Sequence, residues 1–68
     1  MEQVRLAWKG EQHDESERGI RISRFLKEHE LVIGRDYTWR LDTAQKEIVF
    51  LFANDAQSWA SMISMKEL

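Results

Sequence analysis

A chain of 68 residues with a formal net charge of −2 has room for one small domain, spanning 1–68, with a narrow stability margin. Hydrophobic residues make up 43%, including three Trp and three Phe, which excludes a disordered chain, since disorder needs low hydrophobicity. There is no cysteine, so disulfides and thiolate metal sites are excluded, and ten basic against twelve acidic residues lack the excess of a dedicated nucleic-acid module.

Val4, Leu6 and Trp8 alternate with Arg5, Ala7 and Lys9, a period of two that predicts a half-buried strand stopped by Gly10. After the polar run Glu11–Glu17, Asp14 and Glu17 have the spacing of a capping box and mark a helix start. Ile22, Phe25, Leu26 and His29 then share one helical face. Asp14/Arg18, Glu17/Arg21 and Arg24/Glu28 stand four apart, where they can pair on the outer surface. Gly19 is a blemish near the helix start, costing up to about 1 kcal/mol relative to Ala.

Leu31–Ile33 leave the helix, and Gly34 permits the turn into the next element. Tyr37, Trp39 and Leu41 alternate with Thr38, Arg40 and Asp42 as a second strand, followed by a polar turn at Thr43–Lys46. Glu47–Ala53 is the most apolar run, with Ile48, Phe50 and Phe52 on one side and Val49, Leu51 and Ala53 on the other. Asn54 and Gln57 offer a second capping box, and Ala56, Trp59, Ala60 and Ile63 form a helical stripe ending near Lys66, which suits the helix dipole.

The order β-α-β-β-α predicts an α+β domain. The third strand, apolar on both sides, belongs in the centre. A crossover helix suits parallel first and second strands, and a short turn makes the second and third antiparallel. The expectation is a three-stranded mixed sheet, order 2-3-1, with both helices on one face. It resembles a ferredoxin-like arrangement lacking its last strand, an architecture that hosts many functions. A two- or four-residue turn pairs Leu41 with Ile48, Trp39 with Phe50, and Tyr37 with Phe52. The opposite face then carries Val49 and Leu51, ringed by Arg5, Ala7, Lys9, Thr38 and Arg40. That apolar strip with a basic and polar rim is the candidate protein-binding surface. The competing reading is that Arg and Lys stems simply shield it.

Chemistry is sparse. His13 and His29 have no ligand-spaced partner, the three glycines form no phosphate loop, and Ser58, Ser61 and Ser64 have no adjacent base. No catalytic residue, metal, cofactor or small-molecule substrate is expected, and the protein is not expected to be an enzyme. Ile48–Phe52 has the aromatic alternation of RNA-recognition strands, but Glu47 stands where those have glycine, and the register puts Phe50 and Phe52 under the helices. No run approaches the roughly eighteen apolar residues of a membrane span, and Met1–Gly10 lacks the apolar stretch of a secretory signal. The expectation is a cytoplasmic, non-catalytic protein-binding module or homodimer, without a membrane partner, acting through the open sheet face or an edge strand. Its size is that of small inhibitors and accessory factors, including those of phages and mobile elements. The alternative is a nucleic-acid-binding module using Arg5, Lys9, Arg40 and the helix arginines.

Overall fold

The structure, a computed structural model, describes residues 2–7 and 15–68. Its elements are β1 (Glu2–Ala7), α1 (Glu15–Glu28), β2 (Tyr37–Asp42), β3 (Glu47–Phe52) and α2 (Ala56–Met65). Trp8, Lys9, His13 and the Asp14 end of the first capping box lie outside the described residues.

The sheet order is β1-β3-β2, with the doubly apolar strand in the centre. The expected mixed sheet is corrected: both neighbouring pairs, β1–β3 and β2–β3, are antiparallel. β1 and β2 do run the same way, as a helical crossover implies, but β3 lies between them and no parallel pair of neighbours forms. The residues between β2 and β3 place Tyr37 opposite Phe52, Trp39 opposite Phe50 and Leu41 opposite Ile48, as the alternation requires.

One face of that register is the core. Ile48, Phe50 and Phe52 are fully buried against Ile22 and Leu26 of α1 and Ala56 and Ile63 of α2, so both helices pack on this face. Val4, Leu6, Trp39 and Trp59 pack around it, half-buried. Trp39 stacks on Phe50 at 5.8 Å and Phe50 on Phe52 at 6.0 Å. Tyr37 is buried beside them, its hydroxyl hydrogen-bonded to the Ser23 hydroxyl of α1. Removing a buried aromatic ring such as Phe50 typically costs ~3–5 kcal/mol, a large share of the stability of so small a domain.

Both helices stop in the same manner. After α1, Leu31 N–H bonds to Leu26 O and Glu30 N–H to Lys27 O, with Glu30 left-handed at φ 68°. After α2, Leu68 N–H bonds to Ile63 O and Glu67 N–H to Ser64 O, with Glu67 at φ 57°. Each is a Schellman closure in which the next residue, Leu31 or Leu68, returns to the core. The start of α2 departs from its expected capping box. Asp55 is the N-cap, in a left-handed conformation at φ 58°, and its side chain makes no capping bond.

The charge pairs expected along α1 are also corrected. Among the described residues, neither Glu17/Arg21 nor Arg24/Glu28 forms an ion pair. Arg18 instead turns inward and donates to two backbone oxygens, Nε to Leu68 at 3.0 Å and Nη1 to Ala7 at 3.0 Å. The helix thereby ties β1 to the segment that follows α2. No helix among the described residues is long and apolar enough to cross a membrane.

Candidate functional site

The antiparallel register brings Arg5, Ala7, Thr38, Arg40, Val49 and Leu51 onto the face away from the helices, with Val49 between Arg5 and Arg40 and Leu51 between Gln3 and Thr38. Lys9 lies outside the described residues. The apolar strip is largely closed on this face: Val49 is 0% exposed and Leu51 is half-buried. Arg5 accounts for much of this. Its Nη1 reaches Glu47 Oε1 on the central strand at 2.6 Å and Asp42 Oδ2 on the far strand at 3.1 Å, so its side chain spans the sheet. Arginine stems commonly cover apolar surface in this manner while the head group stays wet.

The clasp has an electrostatic signature. Hydrogen bonds to Glu47, then to Asp42, raise the Arg5 pKa above its ordinary value. Asp42 is held below its ordinary value, first by the Gln45 N–H and then by Arg5. The same carboxylate therefore anchors the β2–β3 turn, accepting from Gln45 N–H at 3.1 Å, and the sheet-spanning arginine.

Apart from Met65 at the end of α2, the large exposed hydrophobics among the described residues gather elsewhere, at and beyond the β2 edge. Ile20 on α1 is 50% exposed, and Val32 and Ile33 in the α1–β2 loop are 46% and 57% exposed. Together with Leu31, Tyr37 and Trp39 they line a groove of about 470 Å³ whose charged members are Arg24 and Lys27. The loop is held by its own hydrogen bonds. The Asp36 carboxylate accepts Val32 N–H at 2.7 Å, Val32 O accepts Asp36 N–H at 2.8 Å, and Tyr37 O accepts Gly34 N–H at 2.7 Å. Gly34, at φ 88°, supplies the left-handed bend this path needs. Asp36 is held below its ordinary pKa, first by the Arg35 guanidinium and then by Val32 N–H.

Sequence reasoning missed this groove because residues 31–33 register only as an exit from the helix. The available signal was three branched aliphatics, Leu31, Val32 and Ile33, in a segment that neither alternation nor helical periodicity assigns to the core.

The residues considered for chemistry remain apart. His29 is exposed and sets its ring edgewise against Phe25 and Trp59, at 4.7 and 5.5 Å. Ser58, Ser61 and Ser64 lie on the exposed side of α2. Among the described residues, no group of three or more His, Cys, Asp or Glu could hold a metal ion. No protein-family model matches the chain, and no curated protein or solved structure matches it.

Proposed function

We propose that this protein is a non-catalytic protein-binding module that docks its partner at the β2 edge of the sheet. The observation carrying this reading is the exposed trio Ile20, Val32 and Ile33 around the groove. Large aliphatics concentrated beside an edge strand, on a loop held by its own hydrogen bonds, favour docking. Such a surface is ordered before the partner arrives, which lowers the entropic cost of association. We also read the architecture as ferredoxin-like without its last strand, a reading supported by the element order and by the two sheet edges. The clasped face is the weaker docking candidate, because Val49 is covered.

The nucleic-acid alternative has less support. Arg5 is neutralised by Glu47 and Asp42, and Arg18 is committed to backbone oxygens.

A photo-crosslinking residue placed at Ile33 tests the docking reading in cells producing the protein. The expected result is a discrete protein adduct that disappears in an Ile20→Asp background and persists in Leu51→Asp. Loss of the adduct in Leu51→Asp alone would return the site to the sheet face, and no adduct at Ile33 would refute the reading.

A further inference from the structure

We infer that the occupant of the β2 groove is an extended, acidic segment of another protein that joins the sheet as a strand alongside β2. This rests on the docking reading above and adds the chemistry and conformation of the partner. The backbone parity of β2 is set by two bonds. Asp36 O accepts Ala53 N–H across the sheet, while Tyr37 O accepts Gly34 N–H on the outer side. Successive residues alternate sides, so the N–H and C=O groups of Trp39 and Leu41 point away from β3. Among the described residues no backbone or side-chain group pairs with them. Only an extended chain can meet such a row with matching donors and acceptors; a helix has already spent its own.

Charge selects the sign of that chain. The protein is acidic overall, with twelve acidic and ten basic residues, yet the groove is lined by Arg24 and Lys27 and by no acid. Neither forms an ion pair among the described residues. Arg40, on the opposite face of β2, is exposed and makes no hydrogen bond among them either. A strand placed here alternates its side chains between the two faces. Its apolar positions meet Ile20, Val32 and Ile33, and carboxylates reach Arg40 on one face or Arg24 and Lys27 at the groove rim. A basic strand would meet Arg24 and Lys27 in a groove lined by no acid, and Arg40 on the other face, where the neighbouring Asp42 is already engaged by Arg5.

The test uses a fluorescent, end-blocked peptide of about ten residues alternating Val and Glu, long enough for a strand, titrated with the full chain and followed by anisotropy. Three comparators accompany it: the Val/Lys counterpart, a Val/Glu peptide N-methylated on the backbone at alternate residues, and phosphatidylglycerol vesicles. Saturable binding of the Val/Glu peptide is expected, weakening as salt rises. The triple variant Arg24→Glu/Lys27→Glu/Arg40→Glu, all three positions exposed, reverses the charge on both faces and should lose about tenfold in affinity, as should the N-methylated peptide with the unaltered protein. Equal binding of the Val/Glu and Val/Lys peptides, or indifference to N-methylation, would overturn the inference. Preference for the vesicles would overturn it in favour of a lipid surface. An adduct at Ile33 without Val/Glu binding would defeat the acidic strand and leave the docking reading intact, whereas failure of both would remove both.

Discussion

A Cβ on Gly19 would lie 2.8 Å from Trp39 Cε3 and nearer still to Cζ3 and Cη2, so the six-membered ring of Trp39 occupies the space where any other residue's side chain begins. Helix propensity alone favours Ala at this position by about 1 kcal/mol. Close packing reverses the sign, because Trp39 is held against Phe50 at 5.8 Å and cannot retreat without unstacking. Gly19→Ala is expected to destabilise by ~1–3 kcal/mol and to shift the tryptophan emission. Trp39→Phe, with its smaller ring, should make the same change at Gly19 much cheaper. The coupling appears in a double-mutant cycle of urea midpoints, and an additive cycle would show that ring and helix do not press on each other.

Acid should loosen the protein through Asp42 and Asp36. Both carboxyls lie below their ordinary value of 3.8, so the stability they contribute is complete above that pH and is lost as pH falls through their lowered pKa values. Arg5→Met keeps a stem long enough to cover Val49 but removes the clasp. It should flatten the acid decline without abolishing it, because Gln45 N–H still holds Asp42, and Asp36 is untouched. Near neutrality the change should be small, since the Arg5 head group is exposed at the surface and such ion pairs contribute little. Urea midpoints measured from neutrality down to about pH 2 check this, and parallel pH profiles for the two proteins would show that the clasp carries no linkage.

The two helix ends each hold a glutamate where glycine is the usual residue. Glu30→Gly and Glu67→Gly should each stabilise by ~0.5–1 kcal/mol, the relief of a left-handed L-residue partly offset by the freer unfolded chain. The sites belong to different helices and share no partner, so the double variant should show the sum. Thermal melts of the three variants decide it; a loss at either site would mean that the glutamate makes a compensating contact.

The parts of the fold readable in advance are those that local alternation controls. Tyr37, Trp39 and Leu41 against Ile48, Phe50 and Phe52 specify the hairpin and its register, because a slip of either strand by one residue would turn three apolar side chains, two of them aromatic, out of the core. Alternation also sorts Val49 and Leu51 to the opposite face, and shielding by basic stems is one of the two readings it allows there; the carboxylates that hold Arg5 in place are not readable from it. The Arg5 clasp depends on β1 pairing with β3 across some forty residues of chain. Gly19 resembles a defect until the ring above it is known. Asn54 and Gln57 have capping-box spacing, yet the left-handed Asp55 moves the helix start past Asn54. The groove escaped for a similar reason: Ile20, the 31–33 loop and the β2 edge meet only in three dimensions.

The pairing of β1 has a consequence in time. β2 and β3 are joined by a short turn and can meet early, whereas Ala7 finds its partner Glu47 only after about forty intervening residues have closed. β1 is thus expected to dock after the rate-limiting step. Val4→Ala, which trims a half-buried contact of β1, should accelerate unfolding and leave refolding nearly unchanged in stopped-flow measurements, whereas a slower refolding limb would place β1 inside the nucleus. The lifetime of the native state then depends on how firmly one edge strand is held, through its backbone pairing with β3, the Arg5 clasp to Glu47 and Asp42, and the Arg18 side chain that grips Ala7 O from the helix above.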